Sequence, residues 1–191
     1  RERPEACTDS FICPSQFIAD KMIQGGFDKS KMHTLCNFID VEKCEEADYL
    51  KKDYYCYIGR ISHEKGIKTL IAAANRLPHK LVIIGKGPLD AEMKKLAGPN
   101  VEFAGFKQWN EIKRIVGQAR FCVIPSECYE NNPLSVIESQ CLGTPVLGAQ
   151  IGGIPELIQE GCNGLHFRSR DTDDMTAKIQ AMYDAPFDYP S

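Results

Sequence analysis

From Tyr54 onward the chain alternates short apolar runs, rich in β-branched and aromatic residues, with longer stretches whose apolar positions recur every three or four residues. YYCYIG precedes a helical pattern over 65–77, KLVIIG one over 89–97, and VEFAG one over 109–119. FCVIP follows, then a helix expected to open at Pro133, then PVLGA, a short helix around 155–159, GLHF, and a last helix over 172–183. Strands that read as near-continuous apolar runs are buried on both faces. Strand and helix alternating at this rhythm predict an α/β fold, a doubly wound parallel sheet covered on both sides. Ligands of such sheets lie beyond the carboxyl ends of the strands, and the glycines at 59, 85, 105 and 152–153 fall at or near those ends.

The beginning of the chain follows a different pattern. Ser10 to Cys13 reads as a short strand, Ser15 as the cap of a helix running to about Gln24 and closed by Gly25-Gly26, and Met32 to Asn37 as a second strand. Asp40 to Asp53 is charged with little apolar periodicity, which predicts a linker or surface excursion. The expected division is therefore a small unit with its linker over 1–50 and a Rossmann-like sheet domain over 51–191. No internal repeat or low-complexity tract is present.

Composition narrows the classes. A length of 191 residues with 43% hydrophobic and 26% charged residues suits a globular core, and the longest apolar runs are far short of a membrane span. No signal peptide is visible. A net charge of −3 argues against a general nucleic-acid binder, so any phosphate must be met by a few local cations. The nine cysteines show no C-x-x-C pair and no zinc spacing. An odd number without a secretory signal predicts reduced thiols and a cytoplasmic protein. Cys56 and Cys122 sit in strand patterns as small buried hydrophobes, and Cys128 is the thiol nearest the candidate chemistry.

That chemistry lies between Ile124 and Pro155. The fixed φ and missing N–H of Pro133 suit a first helical position, with Asn132 as the expected N-cap. The free amides near Leu134 and Ser135, at the positive end of the helix dipole, suit an anion such as phosphate. Glu130 in the loop and Glu138 on the helix, eight positions apart, would flank that anion and accept hydrogen bonds from hydroxyls, a combination that fits a sugar nucleotide. Arg60 and Lys65 follow the first strand of the sheet and would clamp a diphosphate, Arg by a planar fork and Lys as a point charge; the plainer alternative is two solvated surface cations. Gly85-x-Gly87-Pro88 lacks the third glycine of a dinucleotide fingerprint, since Asp90 stands there. His63 is as well read as a surface residue. Asp171-Thr172-Asp173-Asp174 has the look of a metal-binding D-x-D but opens a helix, where Asp and Thr act as caps.

The run Glu130-Asn131-Asn132-Pro133-Leu134-Ser135-Val136-Ile137-Glu138, followed by Gly143-Thr144-Pro145-Val146 and Gly152-Gly153-Ile154-Pro155-Glu156, resembles the E-x7-E signature of retaining GT-B glycosyltransferases, family four. Gly59-Arg60, Glu64-Lys65-Gly66 and Gly85-Lys86-Gly87-Pro88 stand where that family has its other motifs. The resemblance spans about residues 54–185 and implies the C-terminal, donor-binding half of a GT-B fold. It implies that Arg60 and Lys65 bind the diphosphate, that Glu138 accepts hydrogen bonds from ribose hydroxyls, and that Glu130 orients the transferred sugar. Gly59, Gly85 and the loop carrying Phe106 and Lys107 would lie near the nucleotide, with Asn132, Leu134 and Ser135 at the phosphates and no metal or other cofactor. Asn131 and Asn132 depart from the small or aromatic residues often found there, which leaves the sugar open.

By the same resemblance, Ser10 to Asn37 matches the last strand, helix and strand of the first half. The expected partners are a nucleoside-diphosphate sugar, a missing N-terminal acceptor domain, and an acceptor glycan or lipid-linked sugar. No nucleic acid is expected, and any peripheral membrane contact would run through the missing half. The expected activity is retaining sugar transfer in polysaccharide or glycoconjugate synthesis, absent from this chain alone. The surface around Arg60, Glu130 and Gly152-Gly153 is expected to be open to solvent. A GT-B-like epimerase or phosphorylase, and a non-enzymatic nucleotide-binding module, are the alternatives.

Overall fold

The computed structural model describes residues 7–40, 50 and 52–184. The expected linker falls largely on 41–49 and 51, outside those residues, so the boundary drawn near 50 lies there too. What precedes it is a small unit: β1 (Phe11–Cys13), α1 (Gln16–Gln24) and β2 (Met32–Thr34), the two strands parallel. The side chain of Ser15 caps α1 by accepting the Ile18 N–H, as expected of a serine at that position. Two strands cannot cover their own apolar side chains: Ile12, Leu35 and Phe38 are 69%, 57% and 82% exposed.

The larger unit is a six-stranded sheet, with β3 (Tyr54–Ile58), β4 (Lys80–Ile84), β5 (Val101–Gly105), β6 (Cys122–Ile124), β7 (Val146–Ala149) and β8 (Gly164–Phe167) in the order β5-β4-β3-β6-β7-β8. Every adjacent pair is parallel. The helices are α2 (Ile67–Ala74), α3 (Asp90–Leu96), α4 (Trp109–Gln118), α5 (Leu134–Cys141) and α6 (Thr172–Asp184). Successive strand residues point to opposite faces, and the partners of β3 show which helices cover each. Tyr54 donates its hydroxyl hydrogen bond to the Ile115 carbonyl of α4, whereas Tyr55 meets Tyr183 of α6 edge-on. Buried apolar side chains of β3, β4, β6 and β7 join both layers into one core with α2 and α6.

The sheet grows in one direction through β3, β4 and β5, then in the other through β6, β7 and β8. The reversal leaves a crevice between the carboxyl ends of β3 and β6, where this class of sheet binds ligands. At those ends the backbones nearly touch. A Cβ on Gly85, which has φ +137, would lie 1.9 Å from the Gly59 carbonyl oxygen, so no other residue fits there without moving backbone. Among the described residues no helix is long and apolar enough to cross a membrane.

Candidate functional site

Two loops meet across the crevice. After β3, Gly59-Arg60 leads into a short 3-10 turn, His63–Lys65, and then α2; after β6, residues 125–133 lead into α5. They are sewn together by the Glu127 N–H on the Glu64 carbonyl at 2.8 Å and the Thr69 hydroxyl on Glu127. Lys65 Nζ reaches Glu130 Oε1 at 2.5 Å, and the Ser126 hydroxyl donates to the same oxygen at 2.8 Å. Sequence reading set these two residues on different parts of the ligand; the structure brings them together as an ion pair, with side chains 32% and 17% exposed. Ser126 was not anticipated, because a serine after a strand carries no signal by itself.

Arg60 is exposed, and its guanidinium makes no hydrogen bond or ion pair among the described residues. Its backbone is fixed from below, where the hydroxyl of buried Tyr57 donates to the Arg60 carbonyl at 2.8 Å. Gly59 permits this, since a Cβ there would lie 2.7 Å from that hydroxyl. Burial pushes the Tyr57 phenol well above its ordinary pKa, so it remains a donor. Beside Arg60 lies a cavity of about 280 Å³, floored by Ile58, Ile84 and Ile112 and rimmed by Arg60, Phe106 and Lys107. Gly59 and Gly85 also line it, so five of the residues expected near a nucleotide share one mostly apolar hollow. Phe106 is 65% exposed at its mouth. Lys107 is tied to Glu111 by an ion pair one helical turn away.

On the other side of the crevice, α5 begins at Leu134 with Pro133 as its N-cap, one residue later than expected. Asn132 is not the cap. Its side chain is buried and turned toward the small unit, where Oδ1 accepts the Asn37 N–H at 3.1 Å while its carbonyl accepts from the Asn37 side chain at 2.7 Å. Because proline offers no side-chain acceptor, the amides of Leu134 and Ser135 have no hydrogen-bond partner among the described residues. One turn further, Glu138 is half-buried and without hydrogen-bond or ion-pair partner among the described residues. Desolvation raises its pKa above the ordinary carboxylate value.

The expected open surface is only partly open. Arg60 is exposed, but Gly153 is buried: its N–H donates to the Glu130 carbonyl at 2.7 Å, and a Cβ on it would meet the Asn131 carbonyl at 1.8 Å. The glycine turn is packed under the Glu130 loop, which explains why small residues stand there. Burial, then the Glu130 charge, push the Cys128 thiol up, the reverse of a reactive thiolate. His63 is exposed. Asp171 Oδ1 accepts the Asp174 N–H at 2.9 Å at the start of α6, a capping arrangement as expected. Among the described residues no group of three or more His, Cys, Asp or Glu is placed to hold a metal ion.

Residues 39–189 match the family model described as glycosyl transferases group 1. The chain belongs to that family. It is 33% identical over 137 residues to the sulfoquinovosyl transferase SQD2 of Arabidopsis thaliana, covering 69% of this chain and 27% of that protein. It is 30% identical over 140 residues to a GDP-mannose-dependent alpha-mannosyltransferase of Corynebacterium glutamicum, covering 73% and 33%. Among solved structures, HepE of Anabaena in complex with UDP superposes with a TM-score of 0.83 at 20% identity, over 93% of this chain and 54% of that one. The α/β sheet is thus one that GT-B glycosyltransferases share, and the chain spans about half or less of the length of these relatives.

Proposed function

We propose that this chain is the donor-binding half of a retaining glycosyltransferase that moves a sugar from a nucleoside diphosphate to an acceptor glycan or lipid-linked sugar. The acceptor half lies outside these residues. The observation that carries the reading is Glu138: a half-buried carboxylate without partner among the described residues, raised in pKa by desolvation, one turn into a helix whose first two amides are also unpaired. Such a group weakens the fold and is explained by a ligand that brings hydroxyls to it. Ribose on Glu138, the diphosphate between Arg60 and the Leu134 and Ser135 amides, and the base in the hollow beside Phe106 would use the unpaired carboxylate, guanidinium and helix amides of the crevice. UDP in the HepE complex supports a nucleotide of this kind.

As the glycosidic bond to the diphosphate breaks, negative charge gathers on the leaving oxygens. Arg60, Lys65 and the α5 amides are preorganised cations and dipoles facing that charge, the arrangement that lowers such barriers most, and a metal ion is not required of this scheme. Glu130, held by Lys65 and Ser126, orients the sugar hydroxyls. The eight cysteines among the described residues are all free, which supports a cytoplasmic protein acting in polysaccharide or glycoconjugate synthesis. Calorimetric titration with UDP-, GDP- and ADP-sugars tests the reading. One of them should bind, and Glu138→Gln should weaken nucleoside diphosphate and sugar nucleotide alike; binding of none, or an unchanged affinity in that variant, removes the site.

A further inference from the structure

Glu156 stands outside the crevice, yet its carboxylate is wholly engaged. Oε2 accepts the Gln16 N–H at 2.8 Å and Oε1 the Phe17 N–H at 2.7 Å. These are the first two amides of α1, the ones Ser15 leaves unpaired because its hydroxyl takes the Ile18 N–H. An anion is favoured at that end of a helix, but helices ordinarily draw it from their own first turn, and here it comes from a residue 140 positions away. Glu156 sits on the 3-10 turn Ile154–Leu157, directly after Gly153. Gly153 in turn donates to the Glu130 carbonyl, and a Cβ on it would stand 2.9 Å from Ser15 Cβ and 1.8 Å from the Asn131 carbonyl. The start of α1, the glycine turn and the Glu130 backbone are therefore stacked with no side chain between them.

Two more contacts run alongside. The rings of Phe17 and Tyr129 lie 4.9 Å apart, and Asn37 donates two hydrogen bonds to Asn132, one from its backbone N–H and one from its side chain. Tyr129 and Asn132 flank Glu130, so two of the three attachments of the small unit fall on the segment that carries it, and the third reaches it through the Gly153 N–H on the Glu130 carbonyl. We infer that Glu156 is a positioning residue that locks α1 to the glycine turn, so that displacement of the small unit is transmitted to Glu130. The mechanical link stands on these contacts alone; its effect on the sugar rests on the reading of Glu130 given above.

Two kinds of substitution cut the link from opposite ends. Glu156→Ala removes both acceptors. Gln16→Pro removes one donor at the first helical position, where proline is accepted, and Ser15 before it is already extended at φ −150, ψ 159 as a residue preceding proline must be. Amide hydrogen exchange on the 191-residue chain reads the result. Glu156→Ala should speed exchange at least tenfold at Gln16, Phe17 and also Gly153, with Gln16→Pro giving a smaller rise at Gly153. A rise confined to Gln16 and Phe17, with Gly153 unchanged in both variants, would reduce Glu156 to a cap and overturn the coupling.

Titration with UDP and UDP-glucose, or with the GDP or ADP pair if the base differs, gives the second readout. Glu156→Ala should keep its nucleoside-diphosphate affinity within twofold of the parent while the sugar nucleotide loses severalfold, a split that general unfolding would not produce. Equal affinities for both ligands in parent and variant would overturn the transmission to Glu130. A parent chain that binds neither ligand would sink the donor reading instead, and the exchange pattern would still decide the link.

Discussion

Arg60 and Lys65 should fail in different ways, because only one of them is free. Arg60 projects its guanidinium into solvent without a hydrogen bond or ion pair among the described residues, so on the proposed reading Arg60→Ala removes a phosphate contact and little that holds the fold. A charge-assisted hydrogen bond of about 1.5–3 kcal/mol is lost, roughly 10- to 150-fold in nucleoside-diphosphate affinity, with little change in the unliganded chain. Lys65 is already held by Glu130 at 2.5 Å. A diphosphate must share or displace that carboxylate, so the net loss on binding for Lys65→Ala is smaller, about 0–1.5 kcal/mol. Its larger effect falls on the fold. Glu130, only 17% exposed, is left with the Ser126 hydroxyl alone, a partly desolvated charge without its cation. At about 1–2 kcal/mol this lowers the melting temperature by about 2–8 °C for a chain of this size. Thermal unfolding and calorimetry on both variants read the two numbers. A Lys65→Ala chain that melts like the parent and loses more affinity than Arg60→Ala would show that the ion pair contributes nothing in the free state, and would refute the reasoning.

Glu138 gives a pH dependence. Its folded pKa is raised, so the neutral form is preferred in the fold, and stability rises as pH falls through the folded value toward the unfolded one near 4.3. Glu138→Gln should therefore melt higher than the parent at neutral pH, with the gap closing on acidification; a gap that widens contradicts the assignment. Nucleoside-diphosphate affinity of the parent should fall over the same acidic window, since protonation would weaken Glu138 as the proposed ribose acceptor, and the Gln variant should lack the part of that dependence that Glu138 carries. Gly66→Ala places a Cβ 1.8 Å from the Pro125 carbonyl at φ +68, which adds left-handed strain of about 1–2 kcal/mol to overpacking of about 1–3 kcal/mol. Denaturant unfolding should show a loss of that combined size, and a neutral result would mean that the two loops can separate.

Much of the sheet was legible because strands buried on both faces write themselves as apolar runs and the helices between them carry a 3.6-residue rhythm. The placing of Glu130 in the loop, Glu138 on the helix and the unpaired amides at the helix start was legible from the residues around Pro133. What stayed hidden depends on contacts distant in sequence. Lys65 and Glu130 are 65 positions apart and were assigned to separate groups of the ligand, because nothing local records that the loops after β3 and β6 converge. Asn132 has the residue type of an N-cap, but Asn37, 95 positions away, claims its side chain, and the cap passes to Pro133. Glu156 falls in the sequence within a short helix expected around 155–159, and its engagement with α1 is invisible without the fold.

The central claim is that the crevice between β3 and β6 holds a sugar nucleotide, and a crystal structure of the chain soaked with UDP-glucose, or with the GDP- or ADP-sugar that titration selects, tests it most directly. The account predicts ribose hydroxyls on Glu138, diphosphate oxygens on the Leu134 and Ser135 amides and Arg60, and the base in the hollow beside Phe106. Density for the nucleotide in the groove that Lys52, Lys80, Glu102 and Arg114 line between α4 and the face of β3, β4 and β5, with the crevice empty, would contradict it.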